Sequence, residues 1–290
     1  MRTDDDGLPV DLTVNPQEIS RAASEISSSS YMLPINDTAF LLRDEMRATR
    51  FALEYAKADL LLRDSRIRST VIVFGSARAL SPEQLSIAIA SDPRAQEREY
   101  RANLTRRAAW YDEARYFGRI VSERGGALAP GHHWRDNVIA TGGGPGIMEA
   151  ANRGAHEAGA RSIGFNIELA VMQQPNPYST PGLTFRFHYF AMRKMHLAMR
   201  ANALAIFPGG FGTMDELFEM LTLRQTGKSP SIPIVLFDKA YWQRIIDFDA
   251  LVEEGMIDRS ELALFDFADS AEQAWDVLVR RGLRLPAGTR

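Results

Sequence analysis

The chain contains no cysteine among its 290 residues. Disulfides, thiolate zinc sites and cysteine nucleophiles are therefore excluded, and a reducing compartment is compatible with that composition. An excess of one charge is also missing. Thirty-four Lys and Arg against 37 Asp and Glu leave a net charge of −3, too weak a field to recruit nucleic acid or an anionic membrane surface. Any anion must be caught locally. No run approaches the eighteen apolar residues of a membrane span, and the opening "MRTDDDGLPVDL" has no basic segment leading into an apolar one. These features predict a soluble, cytoplasmic protein with no nucleic-acid or membrane partner. Lysine occurs only at Lys57, Lys194, Lys228 and Lys239, and His132 and His133 in "PGHHW" have no further ligand at metal spacing, so neither a metal nor another cofactor is expected.

What is present is ample for a core, at 45% hydrophobic residues. Residues 1–35, with serines at Ser27 to Ser30, read as a polar N-terminal arm. Residues 36–68 follow as a helical segment, either one amphipathic helix or two shorter ones, running from Asn36 or Asp37 to about Arg63. From residue 69 to 290 β-branched or apolar runs alternate with helical patterns. "TVIVFGS", "NVIATGGG", "RSIGFNI", "LTFRFHYF", "ALAIFPGG" and "IPIVLFD" read as strands. Helices are predicted over about 95–123, 145–158, 192–201, 213–226, 240–254 and 270–281, and a variable segment carries Pro82 and Pro93. Continuous apolar strands alternating with helices predict an α/β, Rossmann-like, doubly wound parallel sheet covered on both faces.

Three of these strands end in turns of small residues that lead to helices: "FGSAR" at 74–78, "TGGGPGIMEAANRGA" at 141–155 and "FPGGFGTMDELFE" at 207–219. In a parallel sheet the carboxyl ends share one edge, so the turns can converge on one crevice. Glycine lets backbone amides approach an anion, and a helix starting after the turn adds its N-terminal dipole. Neither nucleotide fingerprint fits. "GGFGTMDE" lacks the lysine of a triphosphate loop, and the second loop departs from G-x-G-x-x-G, with Glu168 as a weak acidic partner for a ribose. Phosphate binding is the expectation and dinucleotide binding the alternative. Glu216 lies one turn into the third helix, where bound phosphate repels a carboxylate; Asp215 reads as an acid complementing the helix dipole. Upstream, "FAMRKMHLAMR" supplies Arg193 and Arg200 seven residues apart on one helix face, and Lys194 on another.

"PGGFGTMDE" at 208–216 and "RK" at 193–194 resemble the two signatures of the LOG (Lonely Guy) family, long mislabelled lysine decarboxylases. The other two loops match as well, so the resemblance spans about residues 70–255. It implies a Rossmann-like phosphoribohydrolase that cleaves the N-glycosidic bond of a nucleoside 5′-monophosphate, AMP or a cytokinin nucleotide, to free base and ribose 5-phosphate. Arg193 and Glu216 fall on the catalytic positions. Gly209, Gly210, Gly212 and Thr213 fall on the phosphate loop; Gly142, Gly143, Gly144 and Gly146 with Glu149 on the second loop; Ser76 and Arg78 on the first. A homodimer or higher homo-oligomer is implied too. The long segment from Ala79 to about Arg107 and the N-terminal extension are similar to the longer bacterial members, and "IELAVMQQPNPY" carries Ala170 and Met172 where those often have a proline and an acid. A non-catalytic nucleotide or phosphorylated-cofactor carrier on the same fold stays open, the pair Arg193 and Glu216 being what such a carrier does not require.

Overall fold

The computed structural model describes residues 15–26, 28–129, 133–169 and 174–286. Ser27, His132, Ala170 and Met172 lie outside them, as does most of the first half of the expected arm. The chain divides into two compact units, residues 1–53 and 54–290. In the first unit, Pro16–Ile26 forms helix α1 and Thr38–Leu41 the single-turn α2. Asp37 caps α2 by accepting from the Phe40 N–H at 2.9 Å, which is the N-cap role its short acceptor side chain suits. Helix α3 (Arg47–Asp64) runs across the division.

The second unit is built on seven parallel strands: β1 (Thr70–Phe74), β2 (Val138–Thr141), β3 (Ser162–Ile167), β4 (Thr184–Phe187), β5 (Ala201–Ile206), β6 (Ile234–Phe237) and β7 (Asp266–Ala268). Their order is β4-β3-β2-β1-β5-β6-β7. The chain moves outward from β1 through β4, then returns to place β5 against the other side of β1. That reversal opens a crevice at the carboxyl ends of β1 and β5, where ligands of open α/β sheets bind. The helices are α4 (Pro82–Ser91), α5 (Arg98–Arg124), α6 (Ile147–Glu157), α7 (Phe190–Met199), α8 (Phe211–Gln225), α9 (Lys239–Ile245), α10 (Phe248–Glu253) and α11 (Ala271–Arg280).

The strand side chains alternate between two cores, as a period of two requires. Ile72, Phe74, Leu204 and Ile206 enter one core, while Val71, Val73, Ala203, Ala205 and Phe207 enter the other with residues of α5, α6 and α11. Phe207 stacks on Phe237 with ring centroids 4.4 Å apart. The doubly wound sheet is the fold expected, with three departures. The segment with Pro82 forms α4, because Ser81 and Gln84 make a reciprocal capping box and Pro82 fills the first turn. The helix expected over 240–254 is two helices, since Ile246 is extended and Asp247 caps a new start by accepting from Ala250 N–H at 3.0 Å. Strand β7, only three residues long, was absent from the expected set.

Helix α6 carries the second glycine loop at its N-terminus, and its position is set by close contact with α5. A Cβ on Gly118 would stand 2.3 Å from the Ala151 carbonyl oxygen, and one on Gly154 would stand 1.9 Å from that of Arg115. Backbone meets backbone at both points, so neither helix can yield by a rotamer change. Gly118→Ala is expected to destabilise the fold by about 2 kcal/mol or more, measured as a lower midpoint in urea. A midpoint equal to that of the unsubstituted protein would show that the helices do not need this approach.

Candidate active site

The first loop ties the other two together. Ser76 donates its N–H to the Pro208 oxygen at 2.9 Å, and its own carbonyl accepts from the Ile147 N–H at 3.1 Å. One residue at the end of β1 therefore fixes the loop after β5 and the start of α6. Gly146 has φ +70°, and a Cβ there would lie 2.3 Å from the Ser76 oxygen; only glycine permits this join. The rest of the second loop is held by buried amides and a hydroxyl. Thr141 Oγ1 accepts from Gly143 N–H at 3.0 Å, and Asn176 Nδ2 donates to the Gly144 oxygen at 3.1 Å and to Asn152 Oδ1 at 3.0 Å.

A cavity of about 660 Å³ opens where these loops meet. Ser76 and Arg78 line it from the first loop, and Gly209, Gly210, Gly212 and Thr213 from the third. Helix α8 begins at Phe211, so Gly212 and Thr213 belong to its first turn rather than to the loop before it. Thr213 and Met214 both donate their N–H groups to the Gly210 oxygen at 3.0 Å. The N–H groups of Gly210, Phe211 and Gly212 have no partner among the described residues, which leaves three donors at the positive end of a helix dipole. A Cβ on Gly209 would sit 2.1 Å from Thr213 Oγ1; the missing side chain is what admits the threonine. Tyr241, on α9, donates its hydroxyl to the Gly209 oxygen at 2.6 Å and lines the cavity too. Sequence reasoning missed it, since nothing local links residue 241 to the loop.

Arg193 projects from α7 into the cavity wall, its side chain 12% exposed. Its Nε donates to the Phe165 oxygen at 2.7 Å. A Cβ on Gly142 would stand 2.5 Å from its Nη2, so the second loop passes under the guanidinium only because residue 142 has no side chain. Glu216 stands one turn below Thr213 on α8, 6% exposed, with Oε1 3.9 Å from Arg193 Nη1. No hydrogen bond from the described residues reaches the Glu216 carboxylate. Burial raises its pKa to about 7, against the opposing pull of Arg193 and Lys194. Burial likewise lowers the pKa of Arg193, with Glu216 and Asp215 acting to restore it.

Several expectations are corrected by these contacts. Asp215 is not a bare dipole acid: it binds Lys194 Nζ at 2.7 Å, and Glu219 binds the same nitrogen at 2.8 Å. Arg193 and Lys194 thus both reach α8. Arg200, expected on the helix face of Arg193, caps the C-terminus of α7 and pairs with the buried Asp59 of α3. Glu149 is turned away from the cavity, accepting from the buried Tyr111 hydroxyl of α5 at 2.8 Å. Gly142, Gly143, Gly144 and Gly146 support the cavity walls rather than form them. Glu168, the weak ribose partner, is occupied by Arg186 and by His188 Nδ1 at 3.0 Å.

A family model described as "Possible lysine decarboxylase" matches residues 148–278. The chain is 29% identical over 136 residues to the probable cytokinin riboside 5′-monophosphate phosphoribohydrolase LOG4 of Oryza sativa subsp. japonica, covering 47% of this chain and 59% of that one. It is 28% identical over 140 residues to cytokinin riboside 5′-monophosphate phosphoribohydrolase LOG5 of Arabidopsis thaliana, covering 48% and 61% respectively. The match therefore spans about three fifths of the length of these curated relatives. Among solved structures, the molybdenum cofactor binding protein from the phototrophic bacterium Rippkaea orientalis superposes with a TM-score of 0.44 at 17% identity, covering 74% of this chain and 95% of that one.

The raised pKa of Glu216 has a sign that stability reports. The folded state binds its proton more tightly than the unfolded chain, whose value is the ordinary 4.5. Below pH 4.5 both states are protonated and nothing is lost; between 4.5 and about 7 the unfolded state ionises first and is favoured. Glu216→Gln, which stays neutral, should gain on the unsubstituted protein by up to roughly 3 kcal/mol as pH rises from 4 to 8. Urea unfolding at the two pH values measures the gain, and a pH-independent difference would refute the buried, proton-hungry carboxyl.

Proposed function

We propose, for a chain that belongs to the LOG family, that it hydrolyses the N-glycosidic bond of nucleoside 5′-monophosphates such as AMP, releasing free base and ribose 5-phosphate. The observation that carries the reading is the Glu216 carboxyl, buried beside Arg193 with a pKa near 7 on the helix whose N-terminus presents the three open N–H donors. A phosphate carrier gains nothing from a carboxyl there; a glycosidase does. Cleaving a ribosyl C–N bond builds oxocarbenium character on the sugar, which an adjacent carboxylate stabilises, and the same group orients and deprotonates the attacking water. The open N–H groups of Gly210, Phe211 and Gly212, with Thr213, hold the 5′-phosphate, and that remote binding energy places the ribose over Glu216. Arg193, fixed on the Phe165 oxygen rather than on Glu216, steadies the substrate and keeps part of the carboxyl ionised.

The decarboxylase description finds no support at Lys194. Burial opposes its charge, but the hydrogen bonds to Asp215 and Glu219 outweigh that, and its pKa stands above the ordinary value. A protonated amine held by two carboxylates is a poor Schiff-base nucleophile. Among the described residues no helix is long and apolar enough to cross a membrane, and a cytoplasmic homo-oligomer is the assembly proposed. Phe211, 93% exposed, and Phe218, 40% exposed, on α8 support the self-association.

A panel of nucleoside 5′-monophosphates, isopentenyladenosine monophosphate included, should yield free base, with adenosine itself a poor substrate. Glu216→Gln should lower kcat by about 100-fold or more without weakening AMP binding. Base release should rise with pH through about 7 as Glu216 ionises. No free base from any member of the panel would leave the carrier reading in place of hydrolysis.

A further inference from the structure

We infer that Tyr241 is a positioning residue for the phosphate end of the cavity: its hydroxyl holds the peptide between Gly209 and Gly210 in the orientation that leaves the Gly210 N–H open to a 5′-phosphate. The inference rests on the reading of this cavity as a nucleotide site. A peptide group is planar and trans, so its C=O and N–H point to opposite sides. The Gly209 oxygen accepts from the Tyr241 hydroxyl at 2.6 Å. The Gly210 N–H of the same peptide is thereby directed away from that hydroxyl, and no described residue accepts from it.

Without that hydrogen bond little would keep the peptide from turning over, because both of its residues are glycine. Gly210 has φ −97°, and a Cβ there would meet no atom within 4 Å. A flip would carry its φ to positive values, a region glycine enters about as readily as the negative one. The flip exchanges donor for acceptor, setting a carbonyl oxygen where a bound phosphate needs an N–H. One phenolic hydroxyl therefore decides which end of a peptide dipole the anion meets.

Tyr241 is itself firmly placed. Its ring meets Trp110 edge-on at 5.5 Å and Trp242 edge-on at 5.2 Å, and the buried Trp242 donates its Nε1 to the Phe237 oxygen at 2.9 Å. Asp238 joins the same set: one carboxylate oxygen accepts from the Tyr241 N–H at 2.9 Å, the other from Trp110 Nε1 at 2.8 Å. The φ of Asp238 is +66°, uncommon for a residue with a side chain, and strain of this kind gathers at ligand clamps. Residues of α5, of α9 and of the end of β6 thus converge on one peptide of the loop after β5. Burial raises the Tyr241 pKa above its ordinary value, which keeps the hydroxyl a donor at neutral pH.

Tyr241→Phe removes the hydroxyl and keeps the ring, and two measurements on the full-length variant test the inference. Calorimetric titration with ribose 5-phosphate should show binding about tenfold weaker than in the unsubstituted protein, the size of one lost hydrogen bond. The kcat/KM for AMP should fall by a similar factor, while that for adenosine, which has no phosphate, should stay within about twofold. A tyrosine that only packs the fold would slow both substrates alike, so an equal loss on AMP and adenosine overturns the positioning role. Ribose 5-phosphate binding that is unchanged in the variant, or absent from the unsubstituted protein, overturns it too. Adenine release from AMP by the unsubstituted protein is scored separately. Weakened ribose 5-phosphate binding without any release would sink the hydrolase reading and leave the role of Tyr241 standing; release with unchanged binding would do the reverse.

Discussion

The arrangement depends on one costly placement, an acid in the first turns of α8 with almost no solvent around it. A buried carboxylate is tolerated only when its charge is offset, and a full ion pair would hold it permanently ionised. Arg193 provides an intermediate answer. Its Nε is committed to the Phe165 oxygen, so its charge is held at 3.9 Å from Glu216 rather than in contact. Lys194, one residue on, binds Asp215 and Glu219 and partly offsets two neighbouring negative charges that push the Glu216 carboxyl further up. The carboxyl is left near the midpoint of its titration at neutral pH, which suits the proton-accepting, charge-carrying role proposed for it.

That balance reaches back into parts of the fold far from α8. Arg193 can lie where it does only because Gly142 has no side chain, and the loop carrying Gly142 is fixed by Asn152, Asn176 and the join between Ser76 and Ile147. Helix α6, which closes that loop, is seated by the contacts of Gly118 and Gly154 with α5. At the other end of α7, the Arg200 pair with Asp59 fixes the helix to α3. Each of these is a packing or hydrogen-bond constraint with no chemistry of its own, and each sets the position of one guanidinium.

Much of this could be read from the sequence where local pattern carries it. The strands that end in glycine are continuous apolar runs, so their parallel sheet and the shared edge of three loops followed directly, and the family signatures placed Arg193 and Glu216. Helix α4 is legible too, since Ser81 and Gln84 spell a capping box with Pro82 as the first helical residue. Other features had no local signal. Tyr241 reaches the Gly209 oxygen across 32 residues of chain, and Tyr111 reaches Glu149 across 38. Helical periodicity shows which residues share a face but not which neighbour that face meets, which is why Arg200 was grouped with Arg193 and Glu149 with the nucleotide loop.

The proposed chemistry gains most from the fact that the anion donors and the carboxyl share one rigid element. Thr213 and Glu216 are three residues apart, about 4.5 Å along a helix axis and on the same face. A phosphate bound at the N-terminus of α8 is therefore held at a fixed distance from Glu216, whatever the surrounding loops do. The repulsion that makes an acid awkward next to phosphate also works in favour of the reaction. A bound dianion disfavours ionised Glu216 in the ground state, and that penalty shrinks once positive charge develops on the ribose between them. The carboxylate is then stabilised more in the transition state than in the complex that precedes it, which is the condition under which binding energy accelerates a reaction rather than merely tightening the complex.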